Sequence, residues 1–175
     1  MDWIKNFSNK NTVWTVTFDK LPTTFDTFKD LPEAVLKEPY HTGALLIASL
    51  CLWNTDKDLA IEMINFLKGP QQLSPYDIQF ISERLRNKEY LPYSYLEGST
   101  PKNGYTPSKP YTIKLSTVPT SFDEKGYAKL YLQSSGADSL RPVQLRQRPS
   151  SKEWFLWEQM LLSDIRIPIS EDLWA

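Results

Sequence analysis

Tyr111-Thr112-Ile113-Lys114-Leu115-Ser116 is where the period of the chain changes. Tyr111, Ile113 and Leu115 alternate with Thr112, Lys114 and Ser116, the two-residue repeat of a strand with one buried face. Toward the C-terminus the repeat recurs. Ala128, Leu130 and Leu132 alternate with Lys129, Tyr131 and Gln133, and Val143 and Leu145 alternate with Gln144 and Arg146. Ser134-Ser135-Gly136-Ala137-Asp138-Ser139 and Pro149-Ser150-Ser151 supply turns. Consecutive short strands joined by turns predict an antiparallel sheet or small barrel of four to five strands.

Toward the N-terminus the period is helical. Asp30-Leu31-Pro32-Glu33 reads as a capped helix start, with a stop before Pro39. Residues 42–53 are apolar on all sides and predict a buried helix. Thr55-Asp56-Lys57-Asp58 opens another, with Leu59, Met63, Ile64 and Leu67 on one stripe and Gly69-Pro70 as its end. Ser74-Pro75-Tyr76-Asp77 starts a third, with Ile78, Ile81 and Leu85 facing inward and an end near Asn87. Before this block, residues 12–18 alternate as a strand, with Trp14, Val16 and Phe18 on one side. The chain therefore reads as a single α+β domain over 1–175, with a helical part of three to five helices at about 20–87 and a β part at 111–170. The stretch 88–110 between them holds four prolines, which argue against a regular element. Its tyrosines Tyr90, Tyr93, Tyr95 and Tyr105 argue for an ordered loop that packs through them.

Trp154-Phe155-Leu156-Trp157-Glu158-Gln159-Met160-Leu161-Leu162 fits a strand or a helix by counting alone. The preceding turn and the aromatic content favour a strand over 153–159. Trp154, Leu156 and Met160 then face one side and Phe155, Trp157 and Leu161 the other, so both sides are expected to be buried, Trp157 included. Glu158 inside this run is expected to pair with an arginine of the neighbouring strand.

Net charge is −1, so no overall field pulls the chain toward nucleic acid or anionic membrane. Gly43 to Trp53 is the longest apolar run, too short for a membrane span of about 20 residues. Met1–Phe7 has no basic start followed by an apolar run, so no signal peptide is expected. The single cysteine, Cys51, sits in the apolar helix and is expected to be buried, in a reducing cytoplasmic setting.

Several segments carry a resemblance. They are Gly43–Cys51, Gly69-Pro70 with Leu73-Ser74, Tyr90–Tyr95, Gly126–Leu130, Ser135–Ser139 with Arg141-Pro142, and Trp154–Glu158. Together they resemble a family of uncharacterised single-domain bacterial proteins, mainly from gut Firmicutes and related anaerobes. The similarity runs from about residue 25 to the C-terminus, with Leu173 standing where the pattern has proline. The resemblance implies a bacterial, cytoplasmic protein. It carries over no activity, cofactor or site residue.

Chemistry is sparse. One histidine, His41, excludes two-histidine metal motifs, and it reads as a helix-start or surface residue. No phosphate loop or nucleophile elbow is present. No catalytic residue, metal site or cofactor is expected. Asp138, Ser139 and Arg141 share one turn, which serves either as a hairpin tie or as a polar corner where Arg141 and Arg146 hold an anion. Arg146 and Arg148 point the same way from one strand, most simply as a solvated face, and Asp164 with Arg166 reads as surface. Aromatics beside arginines are the composition of binding hot spots. The expected function is therefore a non-enzymatic binding or protein-interaction module. Candidate residues are Asp138, Arg141, Arg146, Tyr93 and Tyr95, and the occupant is a protein partner or a second copy. Alternatives are a small enzyme using carboxylate or tyrosine chemistry in a pocket between helices and sheet, and a weak nucleic-acid binder.

Overall fold

The computed structural model describes residues 11–175, so the reading of Met1–Phe7 lies outside the described residues. Five strands form one antiparallel sheet: β1 (Val13–Phe18), β2 (Tyr111–Ser116), β3 (Tyr127–Leu132), β4 (Arg141–Gln147) and β5 (Trp154–Gln159). Their order in the sheet is their order in sequence, and the sheet does not close into a barrel. The helical block is one long excursion between β1 and β2. That excursion closes when Val13–Phe18 pairs with Ser116–Tyr111 along its full length.

The block contains α1 (Phe25–Lys29), α2 (Pro39–Leu50), α3 (Lys57–Lys68), α4 (Pro75–Leu85) and a short α5 (Tyr90–Tyr93). The expected cap at Asp30 is corrected. Asp30 closes α1, and Pro32–Val35 is a 3₁₀ turn with no side-chain cap. The capped start lies earlier, where Thr24 accepts from the Thr27 amide and Thr27 answers in kind. Asp56 and Ser74 cap α3 and α4 as the sequence predicts. The stretch 88–110 is more regular than its prolines suggest. Pro92 sits in the first turn of α5, where its missing amide hydrogen removes no helical bond.

The apolar α2 lies across the inner face and touches all five strands. Gly43 permits the approach, because a Cβ there would stand 2.6 Å from Leu115 Cδ2. Inward residues Val16, Phe18, Ile113, Leu115, Leu130, Leu132, Val143, Leu145, Trp154 and Leu156 join the helices in one core. Cys51 is buried there, as expected. The outer edge of β5 is tied to the helices at Trp154. Its amide donates to Leu36 O at 2.7 Å, and its carbonyl accepts from Thr42 Oγ1 at 2.7 Å.

Among the described residues no helix covers the opposite face of the sheet, and here the two-sided burial of β5 is corrected. Gln144 faces Glu158 while Leu145 faces Leu156, so Trp157 is an extra residue in a bulge. The phase of the strand slips by one after it. Trp157 and Glu158 are both exposed, Met160 is exposed and Leu161 is buried. Glu158 lies opposite Gln144 and makes no ion pair among the described residues. No helix among the described residues is long and apolar enough to cross a membrane.

Candidate functional site

The five candidate residues do not converge. Asp138, Arg141 and Tyr95 belong to a clasp between the Gly136–Arg141 turn, the 88–110 loop and the segment after β5. Asp138 is ion-paired with Arg166. The Arg166 amide donates to Gly136 O at 2.9 Å, and Tyr105 Oη donates to Arg166 O at 2.6 Å. Gly136 allows this, since a Cβ would come within 2.3 Å of Tyr105 Oη. Tyr95 donates its hydroxyl to Leu161 O and is buried against Arg141, with its phenol held above the ordinary range by burial. Arg141 itself donates to Ser139 Oγ at 2.8 Å and to Asp164 O at 3.3 Å. Arg166 is exposed, as expected, and is also part of this tie.

Tyr93 lies apart, half-buried near Cys51 and Tyr111, and its phenol is pushed up to about 12, chiefly by burial. Tyr90 and Tyr105 stack beside it with ring centres 5.3 Å apart, over a shallow depression that also takes in Glu89 and Glu171. Cys51 has its thiol pushed up by burial, away from the thiolate that a reactive cysteine needs. His41 occupies the first turn of α2 against Tyr40, and its pKa is lowered, chiefly by burial.

Arg146 leads elsewhere. Strand register places Tyr127, Arg146 and Phe155 side by side on the open face of β3, β4 and β5. The Arg146 guanidinium lies 4.8 Å from the Trp157 ring centre and 5.7 Å from that of Tyr127. The two rings meet edge to face at 5.8 Å. Arg148 lies 4.9 Å from the Phe155 ring, with a loose contact of 4.0 Å to Glu153. The C-terminus of α3 wedges in beside them. Gly69 turns with φ +65°, and a Cβ there would stand 2.6 Å from the Phe155 ring. This brings Lys68 to the same place.

The result is a groove of about 280 Å³ into which Lys68, Arg146 and Arg148 contribute cations and no residue contributes a carboxylate. Its aromatic walls are Phe155 and Trp157. Contact with the rings positions both guanidinium groups at the groove, where Arg148 also keeps its loose contact to Glu153. A protein of net charge −1 thus carries a local cationic site. No His, Cys, Ser, Asp or Glu lines this groove, and its lining offers cationic donors beside apolar rings.

A second groove of about 440 Å³ continues from it between α3, α4 and β5, and shares Lys68, Leu156 and Trp157. Its floor is apolar, with Leu46, Ile64 and Ile81, and its rim carries the exposed Tyr76 and Met160. This is the helix–sheet pocket that an enzymatic reading requires. Its carboxylates are Asp77 and Glu158, and Asp77 is occupied in capping, accepting from the Ser74 amide at 2.8 Å. Sequence reasoning singled out Arg146 and Arg148 but missed Lys68, Tyr127 and the exposure of Trp157. The available signal was Gly69-Pro70, which ends α3 against the sheet.

Fold and groove together define an α+β protein whose sheet has one face packed under helices and the other open. A protein-family profile described as a domain of unknown function, DUF6935, matches residues 20–169, most of the chain, and the chain belongs to that family. No curated protein and no solved structure matches it.

Proposed function

We propose that this protein is a non-enzymatic interaction module that recognises an acidic segment of a protein, one with an apolar side chain beside the acid, in the groove at β4 and β5. The observation that carries the reading is the set of three cations around Phe155 and Trp157 with no carboxylate among the lining residues. The groove's small volume suits a side-chain cluster, and the adjoining apolar groove extends the contact for a longer chain. Nucleic acid is disfavoured: base stacking needs open ring faces, whereas Arg146 and Arg148 already lie over Trp157 and Phe155. The buried thiol of Cys51 is compatible with a cytoplasmic setting.

The test is an NMR titration that follows the Trp157 indole and the Arg146 and Arg148 side-chain N–H signals. The probes are N-acetyl-Asp-Glu-Phe-Leu-amide and its counterpart with lysines for both acids. Shifts confined to the groove with the acidic peptide alone are expected. Equal response to both peptides, or none to either, refutes the reading.

A further inference from the structure

The occupant of the groove can be narrowed on the strength of that reading. We infer that a second copy of this chain supplies it, through the tip Glu171-Asp172-Leu173-Trp174. Leu173 and Trp174 are each 95% exposed, more than any other large apolar residue among those described. Two adjacent apolar side chains with this exposure are accessible to a partner surface.

The tip is also held in shape. Asp172 Oδ1 accepts the Trp174 amide at 2.8 Å, and its carbonyl accepts the Ala175 amide at 3.3 Å. Ordering these residues before contact lowers the entropic cost of binding. Charge complements charge: Glu171 and Asp172 directly precede the apolar pair, and Lys68, Arg146 and Arg148 line the groove with Phe155 and Trp157.

The tip does not fill the groove of its own chain. Arg166 is fastened to Gly136 and Tyr105, and Pro168 and Glu171 lie beside Tyr90 in the tyrosine depression. That corner adjoins Arg141 at the start of β4, while the groove adjoins Gln147 at its end. Six strand steps separate them by about 20 Å. The contact therefore runs between copies, tip of one to groove of the next, and is head-to-tail. Such contacts close as a reciprocal two-fold pair or continue as rings and open chains. Two side chains and one small groove make a contact at the low end of interface sizes, so association is weak and salt-sensitive.

Sedimentation velocity on the full chain from about 10 μM to about 1 mM, in low and high salt, tests this. The wild type should gain mass with concentration and revert to monomer in high salt. L173A/W174A changes only exposed side chains and should associate at least about ten-fold more weakly. R146E/R148E alone and S170K/E171K alone should each be monomeric, and an equimolar mixture of the two should associate, because each then meets an opposite charge. A wild type monomeric throughout, an L173A/W174A variant that associates like wild type, or a mixture that stays monomeric overturns the inference. The acidic-peptide titration is scored separately. Groove shifts with a monomeric wild type reject the second copy and leave the recognition reading standing, whereas absence of both rejects both.

Discussion

Trp154 and Trp157 lie three residues apart on one strand and should differ sharply in what they contribute to stability. Trp154 is 1% exposed and anchors the inner face, whereas Trp157 is 36% exposed on the outer one. A buried tryptophan removes about 150–250 Å² from water. At about 25 cal/mol per Å² this amounts to about 4–6 kcal/mol of transfer free energy, and measured aromatic-to-alanine losses in cores are about 3–5 kcal/mol. Trp157→Ala loses an edge-to-face pair with Tyr127 and the stacked Arg146, about 1–2 kcal/mol together. The assay is equilibrium urea denaturation of both variants beside wild type, followed by far-ultraviolet circular dichroism. With a slope of about 2 kcal/mol per molar urea, Trp154→Ala should lower the midpoint by about 2 M and Trp157→Ala by about 0.5–1 M. Equal losses would refute the assignment of the two residues to opposite faces.

Thr42→Val deletes the buried hydrogen bond to Trp154 O while keeping the shape of the side chain, and should cost about 1–3 kcal/mol by the same denaturation assay. A neutral result would mean that the β5 edge is held by packing alone. Cys51, buried with its thiol pushed up, should resist alkylation in the native state and react at the rate of a free thiol in denaturant. Rapid native labelling would contradict its burial. His41 has a pKa lowered by burial, so the folded chain binds its proton less readily than the unfolded one. Its contribution is then fully present above the unfolded value of about 6.5 and is lost as pH falls below it. Stability measured against pH should show this loss in wild type and a shallower one in His41→Gln. Parallel curves would remove His41 as the cause.

Much of the fold can be read from local chemistry. Ser74-Pro75 and Asp56 announce helices because a cap and its helix are adjacent in sequence, and alternation announces β2, β3 and β4 because their buried face is continuous. The failures share a cause, in that tertiary context overrode a local pattern. Asp30 carried the composition of a cap, but the chain had already formed a turn from the Thr24–Thr27 pair, where threonine replaces the expected glutamate. Pairing of β1 with β2 across some ninety intervening residues has no local signal at all. The site was harder still. Arg146 could be singled out, but Lys68 reaches it from 78 positions earlier, and only the packing of Gly69 on Phe155 joins them.

The two irregularities that defeat simple pattern reading are also what build the groove. Had β5 kept its alternation past Leu156, the residue after Trp157 would have turned inward and Met160 would have been buried, leaving a flush edge. The bulge instead exposes Glu158 directly after the outward-facing Trp157, and Arg146 lies over the Trp157 ring. At Gly69 a side chain would have held α3 away from Phe155, and Lys68 with it. A bulge at a sheet edge also breaks the regular row of backbone donors and acceptors that invites strand addition. In the proposed reading, recognition at β5 therefore falls to side chains, to the guanidiniums and the rings beneath them, and this is why charge reversal at Arg146 and Arg148 is the decisive perturbation of this surface.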